Sequence, residues 1–214
     1  MTDTDTDSPG PGRAHDGAAA RRLRREKVAR RGFAFVHINK CGGRSVEHAL
    51  GLPKFHADAQ RLRKLHGARR WARIYSFSVV RNPFTRVVSL YRYRLRAGRL
   101  GDPAAPMPFA EFVARAFRDH DPAVRDGRSM FRPAFDWLHD PGGNLLVREA
   151  FRLEELPRHW DHILAQVGGG DPLPHRNADP DPVPAAQIYD DISRATVADA
   201  FAADLDTWQY RFPA

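Results

Sequence analysis

The stretch Phe33-Ala34-Phe35-Val36-His37-Ile38-Asn39-Lys40-Cys41-Gly42-Gly43-Arg44-Ser45-Val46-Glu47-His48-Ala49-Leu50 decides the fold. Its first six residues form a short apolar run of the kind found in parallel strands buried on both faces. Arg44–Leu50 can open a helix, which Gly51 and Pro53 stop. Between strand and helix, a turn with two glycines lets backbone N–H groups converge on an anion at the positive end of the helix dipole. Lys40 adds a point charge at the entry, and Ser45 adds a hydroxyl in the first helical turn. In nucleotide triphosphatases the lysine follows the glycines and precedes a Mg²⁺-binding hydroxyl. Here Lys40 precedes both glycines, which counts against ATP and Mg²⁺. Taken by itself, Gly42-Gly43 also fits a plain tight turn.

Downstream, Asp58–Trp71 reads as a helix with Leu62 and Leu65 on one face, and Tyr75–Val80 as a second strand by its β-branched and aromatic content. Arg81 ends that strand. Asn82 can cap the next helix, with Pro83 as its first residue, where a missing N–H costs nothing. This helix runs to about Leu95, burying Phe84, Val87, Val88, Tyr91 and Leu95, while Arg86, Ser89 and Tyr93 share another face. Further helices are expected over Phe109–Phe117, Leu156–Val167 and Ser193–Leu205. Leu145-Leu146-Val147 reads as a strand after the turn Asp140–Gly143, and Asp171–Pro184 as a Pro- and Asp-rich surface loop. Strands alternating with helices predict an α/β fold: a P-loop-like, three-layer α/β/α arrangement around a central, mainly parallel sheet. In such sheets ligands bind at the carboxyl ends of the strands, where Lys40 and Arg81 both fall. Two separated anion sites suggest a ligand phosphorylated at two places.

The 214 residues, 42% of them hydrophobic, fit one domain with a real core. Residues 1–20, with Thr/Asp alternation and Pro-Gly pairs, read as a disordered tail, leaving 21–214 as the domain. No apolar run approaches the roughly 20 residues that cross a bilayer, and no leader pattern opens the chain. One cysteine, Cys41, excludes an internal disulfide framework, and the ten histidines show no zinc-ligand spacing. No metal is expected, and a reducing, cytoplasmic setting fits. A net charge of +8 draws anions of any kind. The basic run Arg21–Arg31 reads as a solvated helix face, since no nucleic-acid reading motif accompanies it.

His37–Ser45 resembles the 5′-phosphosulfate loop of the carbohydrate-type sulfotransferases, commonly His-Ile-Pro-Lys-x-Ala/Gly-Gly-Thr-Ser. Val80–Tyr91 resembles their 3′-phosphate motif, in the expected order, with Lys40 and Arg81 41 residues apart. The similarity extends to Phe135–Leu138, Phe151–Leu156, Leu173–Asn177 and Asp204–Tyr210. Asn39 stands for the usual proline and Arg44 for the usual threonine, and Asp179–Ala186 lacks the basic and aromatic residues often found there. The resemblance implies 3′-phosphoadenosine 5′-phosphosulfate (PAPS) as donor and a hydroxyl of a carbohydrate or small molecule as acceptor, with neither metal nor nucleic acid as partner. It assigns Lys40, Cys41, Gly42, Gly43, Arg44 and Ser45 to the 5′ side of the donor, and Arg81 and Ser89 to its 3′-phosphate. Lys40 is also the catalytic charge on the leaving phosphate. The general base is expected to be His56, in Lys54-Phe55-His56-Ala57-Asp58, with His66 and Glu47 as rivals. A nucleotide kinase or a basic nucleic-acid-binding module is the competing function.

Overall fold

The computed structural model describes residues 14–102, 104–174 and 184–213. Three parallel strands in the order β1 (Phe33–Val36), β2 (Tyr75–Val80), β5 (Glu149–Arg152) form the central sheet, with Phe33 paired to Tyr75 and Phe77 to Glu149. Between them lie helices α2 (Gly43–Ala49), α3 (Ala59–His66), α4 (Ala68–Trp71) and α5 (Pro83–Arg96). A short antiparallel pair follows, β3 (Gly101–Asp102) and β4 (Ala105–Pro106), then α6 (Phe109–Val113) and α7 (Ala134–Leu138). Beyond β5 come α8 (Leu156–Val167), α9 (Asp191–Ala200) and α10 (Ala202–Thr207); α1 (Ala14–Arg30) precedes the sheet.

Side-chain alternation along the strands makes the layers. Phe33, Phe35, Tyr75, Phe77, Val79 and Phe151 face α2 and α8, packing on Val46, Ala49, Leu156, Trp160 and Ile163. Ala34, Val36 and Val80 face the opposite way, toward Ala59, Leu62, Trp71, Ala134, Trp137 and Leu138 of α3, α4 and α7. The sheet is covered on both faces, and the three-layer α/β/α expectation holds. On the second face β2 carries hydroxyls: Ser78 Oγ donates to the Val36 carbonyl at 2.8 Å, and Ser76 Oγ accepts the Arg148 N–H at 3.1 Å. Both polar groups are thus satisfied inside the core. A separate cluster joins α5 and α6 to α9 through Phe84, Val87, Phe112, Phe117, Val197 and Phe201.

Several boundaries differ from the sequence reading. Leu145–Val147 is not a sheet strand: Leu145 only bridges His139, and Leu146 donates to the Leu138 carbonyl. After the Asp140 turn these residues carry the chain back from α7, and pairing with β2 starts at Glu149. The helix expected over Asp58–Trp71 breaks at Gly67, whose φ of 80° lies outside the helical region. The last helix breaks at Phe201, which turns into the aromatic cluster. Phe109–Phe117 begins as α6 and continues as a π turn over Ala114–Arg118. Ala14–Ala20, read as part of the tail, already belongs to α1, as its alanines favour. Residues 1–13 and most of the Pro/Asp-rich loop, including His175-Arg176-Asn177, lie outside the described residues. No helix among the described residues is long and apolar enough to cross a membrane.

Candidate active site

At the carboxyl end of β1 the chain leaves extended geometry through two left-handed residues, Lys40 (φ 66°) and Gly42 (φ 74°). Gly42 is the N-cap of α2 and offers no side-chain cap. Ser45 N–H turns back to the Gly42 carbonyl at 3.0 Å, while the N–H groups of Gly42, Gly43 and Arg44 find no backbone acceptor among the described residues. The underside of the turn is closed by side chains. A Cβ on Gly43 would stand 2.1 Å from Cδ2 of His37, and one on Gly42 would stand 2.5 Å from Cδ1 of Leu153. Gly43 is therefore required by packing against the His37 ring, and Gly42 by its left-handed φ. Such a turn accepts an anion.

At the end of the neighbouring strand the construction is rigid. Asn82 Oδ1 accepts the Phe84 N–H at 3.1 Å and Pro83 occupies the first helical position, as expected. The Asn82 N–H donates to Glu154 at 3.0 Å and its side-chain amide to the Arg211 carbonyl at 2.8 Å. From this anchored corner Arg81 extends, donating through Nε to Thr85 Oγ1 at 3.0 Å and through Nη1 to the Lys40 carbonyl at 3.3 Å. Burial lowers the Arg81 pKa from its ordinary value, and burial followed by repulsion from Arg96 and Arg81 lowers that of Lys40 to about 8. Lys40 Nζ lies 4.7 Å from the centroid of the Tyr93 ring. Among the described residues no carboxylate is in ion-pair contact with Lys40 or Arg81. Two desolvated cations, beside a turn whose N–H groups lack backbone acceptors among the described residues, fit a multiply charged anion.

Thr85, Ser89 and Tyr93 follow one another at helical i, i+4 spacing on α5. Thr85 touches Arg81 and Tyr93 touches Lys40, so half-buried Ser89 lies on the stripe between the two cations. The loop residues differ in their exposure. Ser45 is buried at the helix start, Arg44 is exposed, and Cys41 is sealed in the core with its thiol pushed up to about 11 by burial. The Cys41 side chain therefore lies in the core and not at the surface of the turn.

His56 sits beside the loop. Its Nδ1 donates to the His37 carbonyl at 3.2 Å, and its ring centroid is 4.2 Å from that of His37. This hydrogen bond selects the tautomer whose Nε2 lone pair is free. Burial, then the neighbouring His37, lowers its pKa to about 4, so the ring is neutral at pH 7. The two rivals sit differently. Glu47 Oε1 accepts His37 Nδ1–H at 2.7 Å and the Phe55 N–H at 3.1 Å. His66 is buried against Trp71 with neither ring nitrogen bonded.

Two contributors, Arg86 and Glu154, escaped the sequence reading, and Arg152 takes one of the two roles open to it there. Arg86, 2% exposed, donates through Nε to the Asn39 carbonyl at 3.1 Å, so guanidinium groups hold the carbonyls of both Asn39 and Lys40. Glu154 ties the start of α5 to Tyr210 Oη. Arg152 pairs with Glu155 at 3.2 Å and stacks over Tyr210. For Arg152 the sequence left open a nucleotide contact or an ion pair with Glu154 or Glu155, and the pair formed is with Glu155; for Glu154 only the Phe151–Leu156 similarity gave a hint. A small, partly open pocket between α1 and β1, lined by Val28, Phe33, Phe35, Glu47, Leu52 and Phe55 among others, has none of Lys40, Gly42, Gly43 or Arg81 in its lining. No group of described residues has the makings of a metal site.

Residues 29–142, which contain both strand-end turns and His56, match the sequence model of the sulfotransferase family. The chain belongs to that family. No curated protein and no solved structure matches it significantly. As a sulfotransferase it is a transferase that moves a sulfuryl group to a hydroxyl-bearing acceptor, and the two turns belong to the matched region.

Proposed function

We propose that this sulfotransferase takes the sulfuryl group from PAPS and delivers it to a hydroxyl of a carbohydrate or other small molecule by in-line transfer. The observation that carries the reading is the pair of desolvated cations, Lys40 and Arg81, at the carboxyl ends of adjacent parallel strands and beside an uncapped two-glycine turn. Such an arrangement suits a donor bearing anionic groups at two places, one at each turn.

The N–H groups of Gly42, Gly43 and Arg44, with Ser45, hold the 5′ phosphosulfate; Arg81, Thr85 and Ser89 hold the 3′-phosphate. His56 accepts the acceptor's hydroxyl proton on Nε2 as the new O–S bond forms. The S–O bond to the 5′-phosphate breaks with its electron pair leaving on the phosphate oxygen, and Lys40 stabilises the charge growing there. For this Lys40 leaves the Tyr93 ring. The chain's contribution is position and charge, and no step calls on a thiolate.

The test is transfer itself. The chain, incubated with ³⁵S-labelled PAPS and a panel of monosaccharides and hydroxylated metabolites in the presence of a chelator, is expected to release adenosine 3′,5′-bisphosphate in step with labelled acceptor. His56→Ala should bind the bisphosphate normally and lose turnover. Transfer that requires added Mg²⁺ and ATP in place of PAPS would overturn the reading.

A further inference from the structure

Glu47 is 6% exposed, deep in α2, and one of its oxygens accepts two hydrogen bonds. One comes from His37 Nδ1, at the end of β1, and the other from the backbone N–H of Phe55, next to His56 in the chain. The His37 carbonyl in turn accepts the Nδ1–H of His56. The carboxylate therefore grips both the residue whose carbonyl orients His56 and the residue that precedes His56. The same His37 ring fills the space beside Gly43 that a Cβ would need, and Gly43 opens the helix on which Glu47 lies one turn later. Phosphate loop, His37, Glu47 and the His56 segment form a closed circuit of contacts.

We propose that Glu47 is a positioning residue: it locks His56 in the Nδ1–H tautomer and holds it in register with the phosphate loop, without touching donor or acceptor. This rests on the reading of His56 as the base, but the lock itself is measurable without turnover. A carboxylate that accepts two bonds in the interior loses little by reorganisation, and charge-assisted bonds are roughly twice as strong as neutral ones. Substituting it frees two segments at once. A shift of about 1 Å in a reacting group can cost on the order of 100-fold in rate.

The experiment is ¹⁵N imidazole NMR on histidine-labelled protein, with His56 assigned by the signals lost in His56→Gln. Wild type should show His56 as one tautomer, protonated on Nδ1. In Glu47→Ala it should become a tautomer mixture, and Glu47→Gln, which keeps a neutral acceptor, should fall between the two and carries the test if the alanine variant does not fold. Affinity for adenosine 3′,5′-bisphosphate should stay within about twofold of wild type in the folded variants, a shift of no more than about 0.4 kcal/mol. An unchanged His56 spectrum in the variants, or bisphosphate affinity falling as the spectrum changes, would overturn the proposal. Retained sulfate transfer by His56→Ala is a different failure: it would remove His56 as the base and leave the spectroscopic result standing.

Discussion

The β1–α2 and β2–α5 turns occupy equivalent places, at the carboxyl ends of neighbouring parallel strands, and are built in opposite ways. The first has two left-handed residues, no side-chain cap and open N–H groups. The second is sealed: Asn82 caps its own helix, Pro83 needs no partner, and Glu154 and the Arg211 carbonyl hold Asn82 in place. An uncapped turn offers its backbone to a ligand, and a capped one offers only the side chains it aims. The first turn thus contributes N–H groups and the second a rigid base for Arg81, Thr85 and Ser89. The guanidinium groups of Arg81 and Arg86 tie the two together by holding the carbonyls that flank the Lys40 Cα.

Each half can be broken separately. The largest effect is expected from Lys40→Ala, about 10²- to 10³-fold in turnover, comparable to removing one preorganised donor from a charge-stabilising site. The pH profile sharpens this. With His56 as the proposed base and Lys40 as the proposed charge, kcat/KM, which reports the free enzyme, should rise through about pH 4 and fall through about pH 8. An acid limb near 6.5 that persists in His56→Ala would contradict the assignment. On the rigid side, Arg81→Ala should weaken adenosine 3′,5′-bisphosphate binding by about 10- to 100-fold, the loss of one or two charge-assisted hydrogen bonds.

Gly43→Ala tests the packing beneath the open turn. Its Cβ meets a His37 ring that Glu47 holds in place, so the expected cost is ~1–3 kcal/mol in denaturant unfolding together with lost bisphosphate binding. The smallest effect belongs to Asn82→Ala, about 1–2 kcal/mol for the lost cap together with the lost bond to the Arg211 carbonyl. Were it to abolish binding while Gly43→Ala did not, the contrast between the two turns would be reversed.

What was legible in the sequence was local. Phe33–Val36 and Tyr75–Val80 announce buried parallel strands by composition, Asn82-Pro83 announces a helix start, and Lys40 and Arg81 follow as strand-end cations. Contacts between distant segments were not legible. Nothing local says that Leu153 lies under Gly42, that Glu154 anchors Asn82, or that Arg86 turns inward to the Asn39 carbonyl while Ser89 stays at the site. By sequence His56 led and Glu47 and His66 were rivals on residue type alone; burial and hydrogen bonds give the three different surroundings: Glu47 clamped, His56 oriented by the His37 carbonyl, His66 packed on Trp71. The third strand was misplaced for a related reason. Leu145–Val147 is more apolar than Glu149–Arg152, yet the turn at Asp140 sets which residues reach β2.

Calorimetry with adenosine 3′,5′-bisphosphate, in chelator, on wild type, Lys40→Ala and Arg81→Ala tests the two-turn grip most directly. Wild type should bind without metal and each variant should bind more weakly. Wild type that fails to bind, or two variants that bind as well as wild type, would contradict it.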